Sequence, residues 1–423
     1  MPATATRVDP SDASSFIHHG TPVFRRVNLA LFAAGVATFG LLYCVQPLMP
    51  EFSREFGVGE AASALSLSLT TGVLAFAMLF AGALSDAWGR KSVMVASVLS
   101  SSILVLLTAL APGWHTLLAL RALLGLTLSG LPAVAMAYLA EEVDIASIGL
   151  GMGLYISGNA IGGMAGRFLA GVVTEWAGWR GGIAAVGALG FVAALLFWRS
   201  LPPSRHFTAQ PFRPRELLGK FAGMFHDRAL PWLFVEGALL LGAFVTVFNY
   251  LGYRLLAAPY GLSQAAVGSI FLVYVVGMFS SPWMGHLSGK LGRRKVLWTA
   301  LALMLAGIAL TMAAPLSLVL AGLVVLTFGF FGAHSIVSSW IGRRAGALRA
   351  HASSMYLFCY YTGSSIAGAS GGLFYGAHGW DGVAVFVGAL TLAGLLVALY
   401  LRRVAPLATV GVPPTPMSKG AMP

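Results

Sequence analysis

Long apolar runs separated by short polar segments dominate the chain. A helix needs about 20 apolar residues to cross the hydrocarbon core of a membrane, and twelve runs have roughly this length. In chain order, the predicted spans 1 to 12 are 27–49, 61–84, 92–112, 116–140, 148–174, 179–198, 230–252, 263–287, 295–314, 316–340, 351–375 and 380–401. Backbone groups in lipid must be paired within their own segment, and these runs are too long and apolar for barrel strands. We therefore predict that every span is a helix.

The composition supports a membrane protein and excludes an ordinary soluble domain. Of the 423 residues, 58% are hydrophobic and only 9% are charged, whereas soluble domains are about a quarter charged. Cys44 and Cys359 lie inside apolar runs, so we interpret them as small packing residues rather than a disulfide. The first 22 residues are polar, and no cleavable signal peptide is apparent.

The distribution of Lys and Arg predicts the orientation of the spans. If the N-terminus is cytoplasmic, 21 of the 26 basic residues fall in inner segments and three in outer loops. Cytoplasmic loops carry the excess of positive charge, so both termini are predicted to be cytoplasmic, in a bacterial inner membrane. The same asymmetry accounts for the net charge of +12, so we expect no nucleic-acid partner. The expected surroundings are the lipid bilayer, with the chain as a monomer.

Two halves of the chain repeat each other. The segment GALSDAWGRKSVM at 82–94 recurs as GHLSGKLGRRKVL at 285–297, and six of thirteen positions are identical. Glycines of span 5 (Gly158, Gly163 and Gly166) recur in span 11 at an offset of 205. Six spans per half place both copies in the same orientation, so we predict parallel repeats related by an axis along the membrane normal.

This repeat divides the chain into five parts. We predict a cytoplasmic N-terminal tail at 1–24, a six-helix bundle at 25–198 and a cytoplasmic linker at 199–229. A second six-helix bundle follows at 230–403, and a cytoplasmic C-terminal tail occupies 404–423. The linker carries four prolines and six basic residues, as expected for a cytoplasmic connection.

The 82–94 segment resembles the loop 2–3 signature of the major facilitator superfamily, G-x-L-x-D-x-x-G-R-[KR]. The resemblance covers residues 25–403 and implies an all-α membrane protein with twelve transmembrane helices in two pseudo-symmetric six-helix bundles. It also implies that Gly82, Asp86, Gly89 and Arg90 form a gating motif at the cytoplasmic side, where Arg90 can pair with Glu141 or Glu142. The bland alternative is a basic loop that only sets topology.

Two arginines lie inside spans of the first half. Arg121 in span 4 resembles the arginine of proton-antiporter branches, and the equivalent place near Val325 is apolar; the alternative is an arginine that reaches outward to the interface. The span 5 run from Gly158 to Arg167 resembles an antiporter signature, but Gly163 replaces its proline and Arg167 its last glycine. Arg167 could bind an anionic substrate group, or it could pair with Glu175.

Glu236 in span 7 is the one acidic residue clearly inside a span. There it could load and release a proton, or it could pair with linker arginines such as Arg228. His334 in span 10 is a weaker proton candidate. Polar groups near the outer ends of cavity-lining helices are substrate-binding candidates, or they meet interfacial water: Gln46, Asn249 and Tyr250. We interpret Tyr155, Tyr274, Tyr360 and Tyr361 as packing or interfacial-belt residues.

The sequence contains no phosphate loop, metal-ligand cluster or nucleophile–base pair. We therefore expect no enzyme, no cofactor and no metal, with a proton gradient as the energy source. The segment 43–57 and the Gly-Gly-Met-Ala-Gly-Arg run are similar to the YnfM-type branch of the superfamily, whose members are often labelled arabinose efflux permeases. The resemblance implies proton-coupled efflux of a small metabolite or drug. The alternatives are an importer or exchanger of a small organic anion and, more remotely, a non-transporting membrane sensor.

Overall fold

The computed structural model of the chain describes residues 16–209 and 214–404. The ends of both predicted tails and residues 210–213 of the predicted linker lie outside the described residues. Each membrane helix carries the number of the predicted span that it occupies. In chain order the helices are Pro22–Tyr43, Met49–Phe56, Glu60–Trp88, Arg90–Ala109, Trp114–Leu128, Gly130–Glu142, Ile148–Ser200, Pro214–Met224, Leu230–Leu256, Gln264–Ile270, Val275–Leu291, Arg293–Thr311, Leu316–Arg344 and Arg349–Arg403.

Within the described residues, ten helical segments are long and apolar enough to cross a membrane. Two of them are far longer than one crossing requires, because Ile148–Ser200 has 53 residues and Gly346–Arg403 has 58. A 53-residue helix extends about 80 Å, more than twice the roughly 30 Å of the hydrocarbon core. The first breaks at Gly178, and the second at His378 and Gly379. These breaks fall where the sequence predicts the turns between spans 5 and 6 and between spans 11 and 12.

The turns of the two halves have matching backbone conformations. Gly89 (φ 92°, ψ 143°) separates spans 2 and 3, and Gly292 (φ 88°, ψ 135°) separates spans 8 and 9. A positive φ is costly for residues that have a Cβ, so these glycines permit a sharp turn between two helices. The two positions are 203 residues apart, the offset of the repeated segment. Among the described residues there is no β-strand, only one isolated bridge, Ile17–Val143, and the predicted all-α fold class is confirmed.

Glycines bring the helices of each half into backbone contact. A Cβ added at Gly158 in span 5 would lie 2.5 Å from the carbonyl oxygen of Phe32 in span 1. A Cβ at Gly363, the equivalent glycine in span 11, would lie 2.2 Å from the carbonyl oxygen of Ala238 in span 7. Both distances are too short for any side chain. These two repeated glycines therefore have the predicted packing role, because the lack of a side chain lets neighbouring helices approach closely.

The helices end at two opposite faces of the molecule, the basic face and the far face. The basic face holds the ends of spans 2, 4, 8 and 10, with Arg90, Lys91, Arg293 and Arg344; the sequence predicts that it is cytoplasmic. The far face is the opposite end, near Gly57 and Gly261. The linker forms a short helix, Pro214–Met224, near the basic face, and buries Phe221 and Met224.

Candidate functional site

The two halves meet through polar contacts that lie toward the far face. Ser53 and Tyr253 hydroxyls are 2.6 Å apart, and Gln264 donates to the Pro47 carbonyl at 2.7 Å. Deeper in the membrane, Ser365 of span 11 donates to the Ser68 carbonyl of span 2 at 2.6 Å. Among the described residues, all hydrogen bonds between the two bundles lie in this half of the molecule. We call these contacts, together with the Gln46–Asn249 pair described below, the far gate.

Span 1 is broken where it approaches the far gate. Its first helix ends at Tyr43, and a short 3₁₀ turn, Gln46–Leu48, leads into Met49–Phe56. Pro47 has no N–H to donate to the Tyr43 carbonyl, and Pro50 is equally unable to donate, so an α-helix cannot continue here. The break leaves carbonyl groups of the last turn without helical partners. It also places Gln46 between the two halves.

Arg121 satisfies the carbonyls that the break exposes. Its guanidinium donates to the carbonyl oxygens of Leu41 at 3.2 Å and Leu42 at 2.7 Å, and to that of Ser66 in span 2 at 2.7 Å. The side chain is fully buried, so it does not reach outward to the interface. No carboxylate pairs with it among the described residues. A cation at the C-terminal end of a helix is also favoured by the helix dipole.

Arg167 begins a hydrogen-bond chain that crosses between the halves. Its Nε donates to Oε1 of Gln46 at 2.6 Å, and Nε2 of Gln46 donates to Oδ1 of Asn249 at 2.7 Å. Tyr250 donates to the carbonyl of Gly368 in span 11 at 2.6 Å, and Asn249 Nδ2 reaches the same oxygen at 3.4 Å. The four predicted substrate-binding residues therefore lie in one buried network. Their spacing in the sequence does not link them, because they come from spans 1, 5 and 7.

The sequence left Glu175 open as a partner of Arg167, and the structure places it elsewhere. Oε2 of Glu175 accepts from the backbone N–H of Ala265 at 3.0 Å, at the start of span 8. This bond satisfies one of the free N–H groups of the Gln264–Ile270 helix. It also adds another contact between the two bundles, at the far gate.

Aromatic rings from both halves surround the Arg167 guanidinium. Its Cζ lies 3.9 Å from the ring centre of Tyr43, 4.9 Å from that of Tyr274 and 5.3 Å from that of Phe271. The Tyr274 hydroxyl is buried and has no hydrogen-bond partner within residues 16–209 and 214–404. Tyr155, Tyr274, Tyr360 and Tyr361 are all buried, so the packing interpretation holds and an interfacial belt is wrong. Nothing in the sequence indicates that Tyr43 and Tyr274 contact the same arginine.

Glu236 lies inside the second bundle and away from this network. It contacts Gly394 of span 12, where an added Cβ would be 3.0 Å from Oε1, and it lies near Leu301 and Met304 of span 9, where there is no room for a water molecule. Both carboxyl oxygens are buried without a hydrogen-bond partner. Within the described part of the linker, the alternative pairing with arginines such as Arg228 is not formed. The adjacent Gly237 packs on the ring of Tyr356, whose hydroxyl is 2.8 Å from Nδ1 of His334.

The predicted gating motif forms an ion-pair cluster within the first half. Arg90 pairs with Asp86 at 2.5 Å and with Glu141 at 2.7 Å. Gly89 supplies the turn that brings Arg90 back toward these carboxylates, whereas Gly82 has open space around it. Glu142 instead accepts from the backbone N–H groups of Arg205 and His206 in the linker. This cluster therefore ties the basic ends of spans 2, 3 and 4 together.

Two helical bundles that meet at a buried polar interface, with their contacts concentrated at one face, define a polytopic membrane transporter. The chain matches the family model of the Major Facilitator Superfamily over residues 31–257 and 250–419. It is 50% identical over 393 residues to the inner membrane transport protein YnfM of Escherichia coli K12, covering 93% of this chain and 94% of that protein. The chain therefore belongs to the Major Facilitator Superfamily.

Two further comparisons agree with this assignment. The MFS-type transporter YybF of Bacillus subtilis 168 is 46% identical over 389 residues, which cover 92% of this chain and 96% of that protein. Among solved structures, a bacterial homolog of the human lysosomal transporter Spinster, inward-facing and unoccupied, has a TM-score of 0.74 at 15% identity. The match covers 90% of this chain and 96% of that one, and it supports the fold alone.

Proposed function

We propose that this membrane transporter exports a small metabolite or drug from the bacterial cytoplasm in exchange for protons. The observation that carries the proposal is Glu236, a carboxyl group fully buried in the second bundle and without a hydrogen-bond partner in the part of the chain that the structure describes. A charged carboxylate in such surroundings is very costly, so the group is expected to hold a proton in this state. A conformation that admits water to Glu236 would allow it to ionise.

The contacts between the halves supply the movement that such an exchange requires. With the basic face in the cytoplasm, the closed far gate corresponds to an inward-facing state. In our proposal the two bundles then rock about the interface, so that the far gate opens as the basic face closes. In this proposal the two states bind the Glu236 proton with different affinities. Loss of the proton therefore shifts the equilibrium between them.

His334 and Tyr356 offer a connection between Glu236 and the interface of the two bundles. The Tyr356 hydroxyl is hydrogen-bonded to His334, and the ring of Tyr360 lies 4.9 Å from the His334 ring. We include His334 in the proton path for this reason. Arg121 donates only to backbone oxygens, so in this proposal it stabilises the break of span 1. A role of Arg121 in proton coupling stays a prediction.

Proton flux in proteoliposomes tests the proposal. The chain is reconstituted with a pH-sensitive dye inside, an imposed pH gradient, and ethidium as the probe of drug transport. We expect ethidium movement to drive proton movement in the wild type and Glu236→Gln to reduce this coupling at least about tenfold, equivalent to about 1.4 kcal/mol. Glu55→Gln is the matched control, because Glu55 is an exposed carboxylate paired with Arg180 at the far face. Coupled flux that survives in Glu236→Gln would refute the role of Glu236.

One observation favours a second candidate, an importer or exchanger of a small organic anion. Arg167 is buried at the interface, and no carboxylate pairs with it among the described residues, whereas Glu236 faces away from that interface. An exchanger would need Arg167 but not Glu236. Counterflow of a labelled carboxylate, independent of the pH gradient and intact in Glu236→Gln, would favour this candidate over proton-coupled export.

A further inference from the structure

Arg167 carries a buried charge that no acidic side chain balances within the described residues. It is 2% exposed, and its hydrogen-bond acceptors are neutral: the amide oxygen of Gln46 and the backbone carbonyl of Gly163. A buried, uncompensated cation in a membrane domain is expensive and usually marks a ligand or ion pathway. Arg121 differs, because two carbonyls at the break of span 1 and one carbonyl of span 2 account for it.

The surroundings of Arg167 fit a carboxylate with an apolar body. The Tyr274 hydroxyl, buried and without a partner, belongs to a ring whose centre is 4.9 Å from the guanidinium. A carboxylate placed beside the two groups would accept hydrogen bonds from both, and bonds of this charge-assisted kind are strong. The rings of Tyr43 and Phe271 provide an aromatic wall for the rest of the molecule. The first half contributes Arg167 and Tyr43, and the second contributes Tyr274 and Phe271.

Gln46 joins this site directly to the far gate. Its Oε1 accepts from Arg167, and its Nε2 donates to Asn249 of the other bundle. A carboxylate bound to Arg167 competes with Oε1 of Gln46 for the Nε–H. Once that bond is lost, the Gln46 amide is held only through its Nε2, by Oδ1 of Asn249 at 2.7 Å and the Val245 carbonyl at 3.4 Å. Occupancy of the site should therefore weaken a contact that holds the far gate closed.

We propose that Arg167 and Tyr274 bind the carboxylate of a small organic acid with an aromatic or apolar body, and that Gln46 transmits this binding to the far gate. The inference rests on the proposed transport function and names a substrate class for the Arg167 network, which lies apart from Glu236. A bound acid therefore favours the state in which the far gate is open. A ligand drives a conformational change only when its affinities for the two states differ.

Binding by the purified full-length chain tests the first part. The probes are benzoate, benzamide with the same ring but no charge, and acetate with the charge but no ring, each assayed by the shift in unfolding temperature. We expect benzoate to stabilise the chain at concentrations where benzamide and acetate do not. Arg167→Gln should weaken benzoate binding at least about tenfold, while Arg180→Gln, an exposed arginine at the far face, should not.

Tyr274→Phe keeps the aromatic ring and removes only the hydroxyl, so it tests the site even if Arg167→Gln fails to fold. We expect it to weaken benzoate binding several-fold. Stabilisation by benzamide equal to that by benzoate, or unchanged benzoate binding in both variants, would overturn the assignment. Acetate binding as tight as benzoate would show a simple anion site and overturn the aromatic part.

Labelling of a buried cysteine tests the second part. Ser63 is fully buried near the far face and donates to the Met49 carbonyl, so Ser63→Cys reports opening of the far gate to a hydrophilic maleimide. The parent chain, with Cys44 and Cys359, gives the blank rate. We expect benzoate to accelerate labelling several-fold, and Gln46→Leu to label rapidly with or without benzoate. A labelling rate that benzoate leaves unchanged would refute the coupling through Gln46.

The two proposals fail in distinguishable ways. Coupled proton and ethidium flux without any benzoate binding would remove the substrate class and leave the transport mechanism intact. Benzoate binding that depends on Arg167, in a chain whose flux ignores Glu236, would support the site and remove proton coupling. The binding and labelling measurements need no proton gradient, so they remain decisive in either case.

Discussion

Spans 1 and 7 occupy equivalent places in the two halves, yet only one of them is a continuous helix. Span 7 runs unbroken from Leu230 to Leu256, whereas span 1 stops at Tyr43 and resumes at Met49. Arg121 in span 4 binds the carbonyls that the break exposes, and span 10 carries the apolar Val325 near the equivalent place. The asymmetry that drew attention to Arg121 in the sequence therefore has a structural cause. In this pair of spans, the buried arginine accompanies the helix that has lost its own hydrogen bonds.

The basic faces of the two halves also differ, here in the ion pairs that equivalent residues make. In the first half, Arg90 pairs with Asp86 and Glu141. Arg293 and Arg344 stand at the equivalent positions of Arg90 and Glu141, at the offset of 203, so the second half has two cations where the first has an ion pair. Arg344 pairs instead with Asp227 at 2.6 Å, in front of span 7. Equivalent positions in a repeat can thus share backbone geometry and still make different contacts.

The largest expected effect comes from Arg121. Arg121→Leu leaves the carbonyls of Leu41 and Leu42 buried without donors, and we expect a loss of about 2–4 kcal/mol in the free energy of unfolding. Arg121→Lys should lose nearly as much, because one ammonium group cannot reach three carbonyls. Denaturation of the purified chain in detergent measures both, with the exposed Arg54→Leu as the control. A stability equal to that of the control would show that the break needs no arginine.

A smaller contrast is expected between Arg90 and Arg293. Arg90→Ala removes hydrogen bonds to charged carboxylates and should cost about 2 kcal/mol of unfolding free energy. Arg293→Ala should cost little, because Arg293 is close enough to Arg343 for their like charges to interact. The two variants are matched in chemistry and in position within the repeat. Equal destabilisation by both would mean that the ion pairs at Arg90 contribute nothing beyond the turn itself.

The smallest effect is a pH dependence at Asp227. Partial burial disfavours the charged form, but the Arg344 guanidinium and the N–H groups of Ala229 and Leu230 outweigh it and lower the pKa of Asp227. The unfolded chain therefore binds this proton more readily than the folded one. The resulting stabilisation is complete above the unfolded pKa, about 3.9, and is lost as the pH falls through the lower folded value.

The comparison of wild type with Asp227→Asn isolates this contribution. We expect the difference in unfolding temperature to be constant between about pH 6 and 7 and to shrink below about pH 4, in line with the reference pKa of the carboxyl group. Glu216→Gln, which alters a half-exposed carboxylate of the linker helix, serves as the control. A difference that does not change between these pH values would show that the Asp227 contact does not depend on its charge.

The sequence was sufficient to predict the fold class and the location of the turns. Apolar runs of membrane-spanning length allow few structures other than helices, and the repeated glycines placed equivalent turns at Gly89 and Gly292. The boundaries between spans 5 and 6 and between spans 11 and 12 were predicted as short loops. They are sharp bends at Gly178 and Gly379 within long helical segments, because a single residue in an unusual conformation is enough to reverse the chain.

For the candidate site, the sequence reveals the buried charges but not the groups that contact them. Charge in an apolar span is a strong local signal, so Arg121, Arg167 and Glu236 could each be found from the sequence alone. Their partners could not, because hydrogen bonds such as Arg167 to Gln46 and Gln46 to Asn249 join residues far apart in the chain. Tyr43 and Tyr274 gave no local signal, since tyrosines in spans are common as packing residues.

The sequence by itself determined that the chain forms two bundles of membrane helices with basic loops and a few buried charges. Only the tertiary structure decided which of those charges serve a helix break, which lies at the interface and which is isolated. The physical reason is that hydropathy is a property of a segment, whereas the cost of a buried charge depends on the groups that other helices bring to it. Arg121, Arg167 and Glu236 look alike in the sequence and occupy three different environments in the fold.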